Sequence, residues 1–158
     1  MKKNAFFPRK RRGQSLVELA ISLTVILWLL AGAIDLGSAL FAWIALRDAA
    51  EEGAIFASLY PTIDSNNNGR YDNGESLNTA AIANRVRATS TNPVNLADPV
   101  NVTVNVEMTS PPCAGGAVTV TVIYNYRIMM PLTSSIIGTN TIPIRASATN
   151  TLLRYACP

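Results

Sequence analysis

The chain has 158 residues, room for one modest domain and one long element. It has no histidine and only two cysteines, Cys113 and Cys157, so the commonest acid–base group is missing and a structural zinc site cannot be completed. The net charge of +3 is lopsided: six of thirteen basic residues precede Gly13, and beyond it seven arginines face ten carboxylates, a net −3, leaving no basic stripe for nucleic acid.

Those six cations, Lys2, Lys3, Arg9, Lys10, Arg11 and Arg12, stand directly before an apolar run. That order fits the positive-inside rule and attraction to an anionic inner leaflet. The run LAISLTVILWLLAGAI, Leu19 to Ile34, is uncharged but shorter than the ~20 residues a bilayer demands. The pattern resumes after Asp35 as LGSALFAWIAL, and RDAAEEGAIFASLY stays helix-compatible until Pro61. The spacing predicts one helix over residues 14–59, apolar at its start and amphipathic at its end. From Gln14 to Leu46 it would run roughly 50 Å at ~1.5 Å per residue, outlasting a ~30 Å hydrocarbon core. Two other readings of this region stay open: a secretory signal cut near Ala31-Gly32-Ala33, and a plain single-span anchor. Glu18 at the start of the apolar run, and its continuation past Ala33, weigh against the signal.

Residues 61–76, PTIDSNNNGRYDNGES, form a polar loop. A second, short helix follows, capped by Ser76 or Asn78, with Ala80, Ile82, Ala83 and Val86 on its apolar face. TSTNPVNLADP ends it in turn-formers. The period then switches to two. Val100, Val102, Val104, Val106 and Met108 alternate with polar residues, as do Val118, Val120, Val122, Tyr124 and Tyr126. A third run, TIPIRASATNTLL, puts Ile142, Ile144, Ala146 and Ala148 on one side, with Pro143 suited to an edge or a strand start. Three amphipathic strands after a helical half imply an α+β fold, a small antiparallel sheet laid on a helix. The expected layout is a basic leader (1–13), a long helix (14–59), a loop (60–77) and an α+β head (78–158).

Within the loop, Asp64, Asn66 and Asn68 recur at every second position, Gly69 follows, and Asp72 and Glu75 close the set. This matches the D-x-[DN]-x-[DN]-G-x5-E calcium pattern throughout. The Ca2+ ligands would be Asp64, Asn66, Asn68, the Arg70 carbonyl, Asp72 and a bidentate Glu75, with Gly69 allowing the sharp turn. With three acidic ligands the affinity should be modest and suited to extracellular calcium, and a lone loop reads as a staple rather than a sensor. The competing reading is a solvated Asn/Gly linker. Cys113, after the first strand, and Cys157, at the end of the third, fall at one end of an up-down-up meander. A disulfide between them would stabilise by up to roughly 4 kcal/mol on the chain-entropy model; two free thiols are the alternative. Asn101-Val102-Thr103 is a glycosylation sequon of low specificity.

The junction RRGQSLVEL places Gly13 before Gln14 and Glu18. A carboxylate at the head of an apolar helix needs a partner or a function. A cut after Gly13 would put a new ammonium on Gln14, able to pair with Glu18 of a neighbouring helix in a bundle; otherwise Glu18 stays solvated at headgroup level. Asp35 would likewise pair within a filament, or mark where the helix leaves lipid.

RRGQSLVEL resembles leaders cut by prepilin peptidases. The stretch GQSLVELAISLTVILWLLAGAIDLGSALFAWIALRDAAEEGAIFAS is similar to TadE-like proteins of tight-adherence (Tad) pilus systems. The elements that carry it are Gly13 to Glu18, Asp35-Leu36-Gly37 and Ala49-Ala50-Glu51-Glu52-Gly53-Ala54. Leu19 departs from it, standing where related motifs often have an aromatic residue. The resemblance, covering about residues 12–58, implies a pilin-like structural subunit, major or minor, anchored in the inner membrane before assembly into an extracellular filament. Its implied partners are a prepilin peptidase, an inner-membrane assembly platform and other pilin subunits. The alternative is a bitopic protein whose exported, calcium-stabilised head binds a target and never polymerises. An enzyme is the weakest fit: histidine, nucleophile elbow and phosphate loop are all missing, and the loop motif uses many of the carboxylates.

Overall fold

The computed structural model describes residues 13–72, 74–92 and 94–156. The elements run α1 (Gln14–Leu59), α2 (Thr79–Ala88), β1 (Val102–Met108), β2 (Ala117–Arg127), α3 (Pro131–Ile137) and β3 (Thr141–Thr151). The α+β expectation holds: a long helix, a short helix and a three-stranded antiparallel sheet in the order β1-β2-β3.

The two halves of α1 have different surroundings. From Gln14 to Ile34 its large apolar side chains are exposed, and its most apolar 18-residue window, mean hydropathy 2.2, has no residue buried. Further on, Ala42, Leu46, Ala49, Ala50, Gly53, Ala54 and Ala57 are buried. Their spacing of one, three or four traces a single helix face. Small side chains dominate that face and let the helix backbone approach the sheet. At Gly53 the fit is tightest: an added Cβ would collide with Val86 Cγ2 and lie 3.2 Å from Val120 Cγ1. The helix ends at Tyr60, whose N–H donates to the Phe56 carbonyl at 2.9 Å. Pro61 then has no N–H with which to continue.

In the sheet, Val120 lies opposite Val106 and Ala148, and Val122 opposite Val104 and Ala146. Val118, Val120 and Val122 are fully buried, each contributing about 1.5–3 kcal/mol of hydrophobic stabilisation. Ile82 and Val86 of α2 and Val94 and Leu96 beyond it complete the core. Strand β1 starts two residues later than the alternation predicts, leaving Val100 exposed. The cause is local: Asp98 Oδ1 accepts the Val100 N–H at 2.9 Å, turning the chain before the ladder begins. Pro143 sits opposite Asn125 on the edge strand β3, where a missing N–H is tolerated.

The N-cap of α2 is Asn78, but its side chain does not cap. It donates instead to the Tyr60 carbonyl at 3.3 Å, tying the start of α2 to the end of α1. Helix α3 was not anticipated. Its signal was present in the sequence, with Pro131 at the first helical turn and Gly138 after the last, at φ +80°. Seven residues are too few for a periodicity to be read.

Candidate functional site

The 61–76 loop is closed at its base by short-range backbone pairing. Ile63 N donates to Ser76 O at 3.0 Å, and Asn78 N to Pro61 O at 2.9 Å. Above this stem the chain winds inward around its own carboxylates. Asp64 accepts the Asn68 N–H at 3.3 Å and the Gly69 N–H at 3.0 Å. The Asn66 side-chain oxygen accepts from Asn68 N at 3.1 Å, and that of Asn68 from Arg70 N at 2.7 Å. These successive Asx turns need left-handed backbone at Asn67, φ +59°, and Gly69, φ +70°. Asp72 Oδ2 accepts from the side-chain amides of both Asn66 and Asn68, at 2.7 Å each. Glu75 Oε2 has only long contacts, 3.5 Å from both the Asp72 N–H and the Thr62 hydroxyl. Glu75 Oε1 is buried, with no hydrogen-bond partner among the described residues. Asp64, Asn66, Asn68 and Asp72 are thus linked in one network, with Glu75 beside Asp72. Among the described residues no three His, Cys, Asp or Glu side chains form a metal-sized cluster; the expected set is a mixture of carboxylates, carboxamides and one carbonyl.

The loop is also tied outward. Arg70 forms a parallel bridge with Ala156, and Tyr71 N donates to Ala156 O at 3.4 Å. One turn away, Ala114 N donates to Tyr155 O at 2.8 Å, and Leu153 N to Ser58 O at 3.0 Å. The C-terminal strand exit therefore gathers the loop, the end of α1 and the β1–β2 connection. Cys113 is buried in that connection. Its expected partner Cys157 lies outside the described residues, though the chain two residues before it touches the residue after Cys113.

Asp35 sits where α1 changes surroundings. It is buried, and its two carboxylate oxygens accept the N–H groups of Met129 and Met130 at 3.2 and 3.3 Å. The Tyr126 hydroxyl donates to the Asp35 carbonyl at 3.5 Å. Burial raises the Tyr126 pKa above its ordinary value, against a smaller opposing hydrogen bond from Ser38. Asp35 thus has partners inside its own chain. Sequence reasoning had no means to find them, because they are backbone groups more than ninety residues away.

At the other end, Gly13 is the N-cap of α1 and Gln14 its first residue, so the expected cut falls at the helix boundary. The basic residues 2–12 lie outside the described residues. Glu18 is exposed one turn into the helix. From Gln14 onward α1 is long and apolar enough to cross a membrane.

Residues 13–54 match the model of the TadE-like protein family. No curated protein and no solved structure matches the chain. The TadE-like segment coincides with α1 up to its closest packing against the head, and the structure explains its small-residue box. Ala49, Ala50, Gly53 and Ala54 are buried, while Glu51 and Glu52 face outward. Arg47 pairs with Glu51 at 3.0 Å, and Arg85 Nε donates to Glu52 Oε1 at 2.7 Å, joining α1 to α2. Together the TadE-like match and the exposed apolar half of α1 fit a membrane-anchored, pilin-like component. Asn101 is exposed, and its side-chain amide donates to Asp98 Oδ2 at 2.8 Å. That bond and the Val100 N–H lower the Asp98 pKa.

Proposed function

We propose that this protein is a pilin-like structural subunit of a Tad-like extracellular filament, cleaved between Gly13 and Gln14 and assembled through α1. One observation carries the reading: from Leu19 to Ile34 the first half of α1 exposes an uncharged, predominantly apolar surface on a helix whose second half is committed to the head. Such a surface needs lipid before assembly and neighbouring helices after it. The match to the TadE-like family, whose members are structural pilus components rather than enzymes, supports the same reading. Its partners would be a prepilin peptidase, an inner-membrane assembly platform and further pilin subunits. Glu18 would pair with the Gln14 ammonium of a neighbour and set the axial register.

Calcium would staple the joint between α1 and the head. The left-handed Asn67 and Gly69, the inward-facing Asp64 and Asp72, and the unpartnered Glu75 Oε1 support Ca2+ held by Asp64, Asn66, Asn68, the Arg70 carbonyl, Asp72 and Glu75. Glu75 Oε1, which has no hydrogen-bond partner among the described residues, would then be a ligand of the ion. A Cys113–Cys157 disulfide would lock the same corner from the other side.

The test is the intact mass of the protein from its native cells, measured separately in membrane and sheared-surface fractions. A surface species beginning at Gln14 is expected. A species retaining the leader and confined to the membrane would replace the filament with the non-polymerising, bitopic reading.

A further inference from the structure

The base of the head carries a second apolar surface, at the height where α1 would leave the bilayer. Asp35 lies 17 residues beyond Glu18, about 25 Å along the helix at ~1.5 Å per residue, so with Glu18 at headgroup level a ~30 Å hydrocarbon core would end about one turn beyond Asp35. Its carboxylate holds the Met129 and Met130 amides, which fixes the start of α3 at that level. The head reaches lower still: Ile137 and Ile142 share a mostly apolar pocket of ≈ 210 Å³ with Leu36 and with Gly32, one turn nearer the membrane. Leu36 in its lining is 73% exposed and Ile137 and Ile142 are also exposed, while Met129, next in the chain to Ile128 of the lining, and Ile136, next to Ile137, are 67% and 80% exposed. Single exposed apolar residues are ordinary on any surface. Leu36, Ile137 and Ile142 meet across that pocket, directly beside the apolar half of α1. Arg127, exposed at the end of β2 and opposite Thr141, lines a neighbouring cavity together with Met129 and supplies a cation there.

We infer that the base of the head, formed by Leu36, Met129, Ile136, Ile137 and Ile142, docks onto the outer surface of the bilayer that α1 crosses, with its apolar side chains among the acyl-chain ends nearest the headgroups and Arg127 at the lipid phosphates. The inference rests on α1 spanning the membrane. The choice of lipid over a second copy follows from two facts: Leu36, Ile137 and Ile142 adjoin the membrane-length half of α1 through the pocket that reaches Gly32, and they lie within about one turn of the hydrocarbon edge. Amphipathic surfaces of this kind settle at the headgroup boundary, apolar side inward and cations at the phosphates. Held there, the head would be kept from tilting about α1 while the subunit waits in the membrane.

The experiment uses the full chain in phosphatidylethanolamine/phosphatidylglycerol vesicles, read by tryptophan quenching with lipids brominated at different depths. One variant, Trp43→Phe, leaves Trp28 to report on α1. A second, Trp28→Phe/Trp43→Phe/Ile136→Trp, reports on the head. The expected result is quenching of Trp28 within the bilayer, and for the Ile136→Trp variant a blue-shifted emission quenched most by lipids brominated close to the glycerol. Water-like emission from that variant, quenched by iodide and by no bromolipid while Trp28 is quenched, would overturn the docking surface and leave α1 as an anchor. Blue-shifted emission insensitive to bromolipids but rising with protein-to-lipid ratio would overturn it in favour of a contact between copies. Loss of quenching at Trp28 as well would remove the anchoring reading, and this inference with it.

Discussion

Asp35 is the residue whose role changes most once its surroundings are known. A carboxylate after an apolar run reads as a membrane exit or a filament contact, yet here both oxygens accept backbone N–H groups of the β2–α3 turn. Asp35→Ala should leave the Met129 and Met130 amides unpaired and cost about 1–3 kcal/mol. Faster hydrogen exchange at those two amides, with little change in β1, is the expected signature. Gly53 makes a different point. Alanine is the better helix former by about 1 kcal/mol, but Val86 and Val120 are fully buried and have nowhere to move. Gly53→Val should therefore destabilise by about 1–3 kcal/mol through overpacking, seen as a lower denaturant midpoint with unchanged slope. Tyr126 gives a pH test. Its folded pKa is raised, so the folded state holds the phenolic proton more tightly than the unfolded chain does. Its contribution is complete below about pH 10, the unfolded value, and is lost as pH climbs through the folded pKa. Tyr126→Phe should flatten that alkaline loss in a titration of the denaturation midpoint.

Among the elements, the extent of α1 and the existence of α2 and three strands were legible in the sequence. Each is long enough for its period to repeat several times, and each end carries a stop: Pro61, the turn-rich stretch after α2, Gly115-Gly116. Helix α3 was missed because one and a half turns hold no period. The start of β1 was misplaced because a side chain, Asp98, outcompeted the ladder for one amide. The loop belongs to this scale too. If Ca2+ binds it, saturating ion at 100 times the dissociation constant would add about 2.7 kcal/mol. Chelation should then lower the melting temperature and speed exchange across residues 61–76, and Glu75→Gln should nearly abolish that response. A melting curve indifferent to chelator would leave the loop as a hydrogen-bonded turn alone.

For the whole molecule, the decisive feature is a helix shared between two environments. Its outer half is fastened to the sheet by small-residue packing and the Asp35 bonds, so the head cannot release α1 without losing its own core. Its first half has its large apolar side chains exposed, which on the proposed function would exchange lipid for other helices. If the proposed pairing of Glu18 with a neighbour's Gln14 ammonium operates, Glu18→Ala should leave membrane insertion intact while reducing filament yield, because Glu18 is exposed and holds no fold contact among the described residues. Normal yield from that variant would take Glu18 out of assembly.

The sequence alone determined the cluster of cations before the apolar run, the membrane-length helix, the likeness to the TadE-like family over residues 13–54, the period-two strands and the oxygen-rich loop. All of these depend on residues near one another in the chain, where spacing and composition carry the physics. Only the tertiary structure decided that Asp35 binds the β2–α3 turn, that Gly53 is demanded by Val86 and Val120, and that the C-terminal strand exit meets the loop and Cys113. It also decided that the start of α3 is held against Asp35 of α1. Each of those depends on two segments far apart in the chain reaching the same place. No local pattern records such a meeting, because the free energy that enforces it comes from packing the whole core at once.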